Sequence, residues 1–196
     1  MSLTLLDWRR SVHRLYADVR ACADPAEGHA LWRAGRNRLF ATHPDSPLEA
    51  EDRASFQGLP VAPYDPALRF DAEIDTSAAP VTWSTETAGD GVVPFSRIGV
   101  AHLAGVGDLD VWWLESYGGG VFVPVRDPAP DTYGGGRYLL DTVKGADLGG
   151  EDGRLVLDLN FAYNPSCAYS AAWTCPLAPA GNTLRVRLPG GERYPS

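Results

Sequence analysis

The feature that most constrains this chain is a change of periodicity at Gly58. Before it, apolar residues recur every three or four positions. After it, they come in short runs of period near two, broken by turn residues. A helix buries a stripe and a strand buries a face. The 196 residues therefore read as a single domain with a helical segment, 1–57, and a β-rich body, 58–196.

Two helices open the chain. Leu5, Trp8, Val12, Leu15, Tyr16, Val19 and Cys22 mark the apolar face of the first. Asp24-Pro25-x-Glu27 starts the second, with Asp as the N-cap, Pro in the first turn and Glu near the positive end of the dipole. Its expected apolar positions are Ala30, Leu31, Ala34, Leu39 and Phe40, and Gly28 and Gly35 weaken it. His43-Pro44 ends it. Ser46-Pro47-Leu48-Glu49 caps one further short helix, through about Phe56.

The body offers candidate strands at Arg69–Asp75, Val81–Thr85, Val93–His102, Leu109–Ser116, Val121–Val125, Arg137–Thr142, Leu155–Asn160 and Thr183–Leu188. Tyr117-Gly118-Gly119-Gly120 joins two of them as a hairpin. Strand–helix alternation is absent, which excludes a doubly wound sheet. The expected class is α+β: N-terminal helices packed on an antiparallel β-barrel or β-sandwich.

The formal charge of −8 argues against nucleic acid and against an anionic membrane as partners. The N-terminal residues turn polar too soon for the apolar core of a signal peptide, and no apolar run approaches a membrane span. A cytoplasmic protein with reduced cysteines is expected.

The chemistry-bearing stretch runs from Asp158 to Asn182. It holds Cys167 and Cys175, two of the three cysteines, among Asn, Tyr, Asp and Pro. Asp158-x-Asn160, read as alternate positions on a strand, points both side chains to one face. Gly134-Gly135-Gly136-Arg137 precedes a strand and not a helix, so it is no phosphate cradle. Glycines there allow a ligand or another backbone to come close. Arg137 is free to bind a carboxylate, with Asp158 as the expected partner. Cys167 and Cys175 admit four roles: buried hydrophobes, a disulfide, metal ligands, or a reactive thiol with a helper. Two thiolates without a second close pair leave a tetrahedral zinc short of ligands, so no metal is expected. A thiolate enzyme needs a base, for which His43 and His102 are the candidates. The residues themselves assign no cofactor and no oligomeric state.

Thr132-Tyr133-Gly134-Gly135-Gly136-Arg137-Tyr138, Asp158-x-Asn160-x-Ala162-Tyr163-Asn164-Pro165-x-Cys167-Ala168-Tyr169, Cys175-Pro176-Leu177 and Asn182 together resemble domain-of-unknown-function family sixteen eighty-four of bacteria and archaea. Ser46-Pro47-Leu48, Phe56-x-Gly58-Leu59 and Phe122-Val123-Pro124 extend the resemblance from about Trp32 to Tyr194. Ser166 and Ala178 stand where the family usually has Pro. The resemblance implies a soluble, β-rich single domain in which the polar cluster is a family feature. It implies no activity.

Three functions follow from these residues. The leading one is small-molecule binding in a pocket of Tyr133, Arg137, Asp158, Asn160, Tyr163, Asn164 and Cys167. The second is an enzyme using Cys167 or Cys175 as thiolate with a histidine such as His43, acting as a hydrolase or redox protein. The third is a structural module whose polar cluster braces a loop.

Overall fold

The structure, a computed structural model, describes residues 3–87 and 91–194. Helices α1 (Leu3–Ala21), α2 (Pro25–Thr42) and α3 (Ala50–Ser55) come first. The Asp24 carboxylate accepts the Ala26 N–H at 2.8 Å, so α2 starts where its cap was read. The His43 N–H closes on Leu39 O and ends it.

The buried stripe of α2 is Gly28, His29, Trp32, Gly35 and Phe40. Ala30, Leu31 and Ala34 face solvent instead. The reason is close helix packing. A Cβ on Gly35 falls 2.5 Å from Leu15 Cδ1 of α1, and one on Gly28 falls 3.4 Å from Val19 Cγ1. The glycines that weaken α2 in isolation are what let α1 approach it. The larger Trp32 and Phe40 then fill the seam, and Leu31 stays 40% exposed.

Seven strands follow: β1 (Arg69–Asp75), β2 (Thr82–Thr87), β3 (Gly91–Leu103), β4 (Gly107–Leu114), β5 (Val121–Val125), β6 (Arg137–Asp141) and β7 (Arg154–Asp158). Their order is β6-β5-β4-β3-β1-β7, with β2 paired to the first half of β3. Every ladder is antiparallel. The sheet curls into a half-barrel. Just beyond β7, Tyr163 meets Tyr138 of β6 and the two exchange backbone hydrogen bonds of 2.8 and 2.9 Å. The expected α+β architecture is borne out, in its barrel-like form.

Leu109, Val111, Val123, Val125, Leu157 and Leu159 fill the concave side. A second cluster joins Leu15, Tyr16, Val19 and Trp32 of the helices to Ala146 and Phe161 of the body. That seam holds the helical segment on the sheet. Among the described residues no helix is long and apolar enough to cross a membrane.

One expected strand is absent. Thr183–Leu188 forms no ladder; it makes a single bridge, Thr183 to Arg126. Leu184 and Leu188 are buried as the alternation implied, but Val186 is exposed. The side chain of Asn182 bridges β4 and β5 beyond the end of their own ladder. Its Nδ2 donates to Asp110 O at 2.8 Å and Pro124 O at 2.9 Å, and its Oδ1 accepts from Trp112 Nε1 at 2.7 Å. All three partners lie on β4 and β5. Asn182→Ala leaves them unpaired in the interior, and a loss of about 3 kcal/mol of stability is expected in urea unfolding. A loss below about 1 kcal/mol contradicts the strap.

Candidate functional site

Asp158 is the last residue of β7, and Leu159–Phe161 forms a 3-10 turn. Asp158 and Asn160 therefore do not sit at alternate positions of one strand, as the sequence suggested. They meet because the turn folds Asn160 back. Asp158 Oδ1 accepts from the Asn160 N–H at 3.0 Å and from its Nδ2 at 2.7 Å. Asn160 Nδ2 also donates to Asp65 O at 2.8 Å, and Oδ1 accepts the Asp65 N–H at 2.9 Å. His29 of α2 donates from Nε2 to Asn160 O at 3.1 Å. Burial pushes the Asp158 carboxyl up, while Asn160 and Arg69 oppose it. Burial also lowers the His29 imidazole. Both Asp158 and Asn160 are closed to solvent and fully engaged by the protein itself.

Arg137 does not pair with Asp158. Its Nη2 donates to Asp127 Oδ1 at 2.9 Å, and Nη1 donates to Gly190 O at 2.7 Å and Glu192 O at 3.2 Å. Asp158 takes Arg69 instead, at 3.3 Å. Side chains of one strand end and one turn were equally able to supply the carboxylate, and only the fold decides between them. Asp127 accepts further from Leu188 N at 3.0 Å and Ala129 N at 3.2 Å. Glu192 is held by Arg36 Nε at 2.8 Å, and Arg36 Nη2 reaches Asn164 O at 3.2 Å. The Arg36 guanidinium lies over the rings of Phe40 and Tyr163, 4.7 Å from each. Asn164 Nδ2 donates to Arg193 O at 2.9 Å. The sequence reading missed Asp127, Arg36 and Glu192. Arg36 carried a signal: it lies four residues from both Trp32 and Phe40, on the stripe that is buried.

Four of the seven proposed pocket residues, Arg137, Asp158, Asn160 and Asn164, are thus at most 2% exposed and bonded internally. Tyr163 sits at the helix–body seam. Tyr133 and Cys167 are different. Both are only partly buried, as is Cys175. The Tyr133 hydroxyl donates to Cys167 Sγ at 3.6 Å. Cys175 lies near enough to act on Cys167. Its influence, with help from Tyr133, brings the Cys167 thiol down to about 6 against the pull of burial. Cys175 is correspondingly raised, because Cys167 holds its proton and burial adds to the effect. The tyrosine hydroxyl is pushed up to about 12, first by burial and then by its bond to Cys167. All three cysteines are free thiols.

The glycine turn builds this arrangement. A Cβ on Gly135 meets Tyr133 Cε1 at 2.6 Å and Leu177 Cδ2 at 2.8 Å. Gly136, at φ +93°, has Ala178 Cβ 2.8 Å from where its own would be. The 175–178 segment can therefore lie on the turn, with Ala178 N donating to Gly135 O at 3.1 Å and Tyr138 OH donating to Pro176 O at 2.7 Å. The close approach expected of these glycines is one of backbone.

The candidate bases lie elsewhere. His43 accepts the Asp45 N–H at Nδ1, 3.1 Å, points Nε2 to Asp7 at 3.4 Å and packs edge-on to Trp8. His102 lies between Asp108, 2.7 Å, and Asp75, 3.7 Å, which raise it above its ordinary value. Neither has a cysteine among these partners. Among the described residues no group of three or more His, Cys, Asp or Glu is placed to hold a metal ion.

The family model described as "Protein of unknown function (DUF1684)" matches residues 54–193. The chain belongs to this family. A solution NMR structure of an uncharacterized protein from gene locus rrnAC0354 of Haloarcula marismortui is similar: 33% identity, TM-score 0.55, covering 82% of this chain and 89% of that one. No curated protein matches the chain. The DUF1684 match takes in all seven strands and both cysteine-bearing turns, and leaves α1 and α2 outside it.

Arg137 Nε, Asn164 Oδ1 and Glu192 Oε1 have no protein partner, so the buried network is held by fewer bonds than its charges can use. Arg137→Met strands the Asp127 carboxylate in the interior, and about 3–5 kcal/mol of stability is expected to go. Adding Asp127→Leu recovers less than half, since Leu188 N and Ala129 N then lose their acceptor. Urea unfolding of the single and double variants measures both numbers.

Proposed function

We propose that the protein is a dithiol exchange protein, with Cys167 as attacking thiolate and Cys175 as resolving thiol. The observation that carries this is the Tyr133 hydroxyl 3.6 Å from Cys167 Sγ on a half-buried loop, with Cys175 near enough to shift the Cys167 thiol. A buried structural cysteine needs neither donor. Small-molecule binding then occurs at Tyr133 and Cys167, and the buried residues behind them hold the loop in place. The general base sought among the histidines is unnecessary, because the two donors already favour the thiolate.

The exchange runs in two displacements. Cys167 S⁻ attacks one sulfur of a small disulfide, forming a new S–S bond and releasing the first substrate thiolate. Cys175 gives up its proton to that thiolate and attacks Cys167 Sγ. The second substrate thiolate leaves and takes a proton from water. The protein loses two electrons and becomes the Cys167–Cys175 disulfide, and the substrate gains the two electrons as two thiols. A small-molecule thiol reductant reverses both steps. Such a cycle suits the reducing cytoplasm, where the resting pair stays as thiols.

The pH dependence follows from the direction of the shift. The Cys167 thiol is lowered, so its reactivity is already present at neutral pH and is lost only as pH falls through about 6. Iodoacetamide alkylation, followed by mass spectrometry of the peptide, should show that midpoint. Cys175→Ala and Tyr133→Phe each remove a donor and should move it up toward the ordinary thiol value of about 8.5. A wild-type midpoint already near that value defeats the proposal.

A further inference from the structure

We infer that the exchange site takes neutral aromatic or apolar disulfides and discriminates against anionic ones. The inference rests on the dithiol reading above and adds its substrate class. It comes from what surrounds the sulfurs. Tyr133 and Leu177 converge over the Cβ-free face of Gly135, and the ring of Tyr194 lies 5.4 Å from that of Tyr133. Leu177 is 48% exposed and Tyr194 43%, so this apolar rim is open and not spent on the core. An aromatic leaving group finds two rings and an aliphatic side chain at the thiolate's edge.

Four cations of this region are committed. Lys144 pairs with Asp141 at 3.5 Å and lies over the Tyr138 ring. Arg193 pairs with Asp131 at 3.3 Å, Arg137 with Asp127 at 2.9 Å and Arg36 with Glu192 at 2.8 Å. A substrate carboxylate meets these four cations only by taking them from an acid. The whole chain carries −8, which repels anions from a distance as well.

The test is stopped-flow exchange of the fully reduced chain with dithiodipyridine, which is neutral, and with dithiobis(nitrobenzoate), which is a dianion. Each rate is divided by that of the same chain in concentrated urea, which removes intrinsic reagent reactivity. The folded protein should favour the neutral reagent by roughly tenfold or more on this scale. Leu177→Lys and Tyr194→Lys change exposed side chains and should shrink the preference. A wild-type preference below tenfold overturns the inference and leaves the dithiol reading standing on its alkylation midpoint. Failure of the folded thiols to react with either reagent overturns both.

Discussion

The buried pair of Arg137 and Asp127 ties the sheet to a segment that is neither helix nor strand. Arg137 stands on β6 and spends its other nitrogen on the carbonyls of Gly190 and Glu192. Asp127 accepts Leu188 N. Residues 188–193 are thereby fixed from both sides, and they in turn hold much else. Glu192 N donates to Ala162 O, Ala62 N donates to Gly191 O, Arg193 N donates to Pro60 O, and the Glu192 carboxylate receives Arg36 of α2. Helix, sheet edge, the approach to β1 and the exit from β7 all meet on this strip. An ion pair of this kind is weak evidence of net stability, because desolvation opposes it. What it supplies is geometry: a guanidinium in a fixed plane has few ways to satisfy a carboxylate and two carbonyls at once.

The cysteine loop inherits that geometry. Asp158 and Asn160 fix the turn after β7, and Asn164 is fastened to Arg193 and Arg36. Cys167 follows three residues on, in the next 3-10 turn. Cys175 arrives from the other direction, held through Pro176 and Ala178 to β6 and the glycine turn. Two thiols on a loop meet by chance and separate as readily. Here each is anchored to the body by a separate route, so their proximity is a property of the scaffold.

Much of this was legible in the chain. The Asp24 cap, the end of α2 at His43, the strand runs and the turn glycines each rest on local rules, and local rules read well. What failed was pairing. Leu184, Val186 and Leu188 alternate as a strand would, but alternation describes faces and says nothing of a hydrogen-bonding neighbour; an amide side chain, Asn182, had taken that place. Arg137 was assigned the wrong acid for the same reason, since partners distant in sequence are chosen by the fold. The polar cluster read as one pocket because Asp, Asn, Arg and Tyr look alike whether they face a ligand or each other. Burial separates them, and burial is not written in residue type. Gly35 shows the converse case: a residue that weakens the helix in isolation leaves the space that Leu15 of α1 occupies.

The place of residues 188–193 in the chain has a consequence for how the molecule is made. Arg36 must wait for a carboxylate 156 positions later, and His29 for a carbonyl 131 positions later. At roughly 5–20 residues per second of synthesis, the helical pair leaves the ribosome on the order of ten seconds before its last partner exists. Trp32 waits for Phe161 and Phe40 for Tyr169 before each is covered from the side of the body, and until Glu192 follows the Arg36 guanidinium has no carboxylate. Successive strands β2 to β6 pair with their neighbours in sequence, but the ion pair between helix and body waits until all seven strands are made. The molecule is fastened at the end, by a strip shorter than any of the helices it secures except α3.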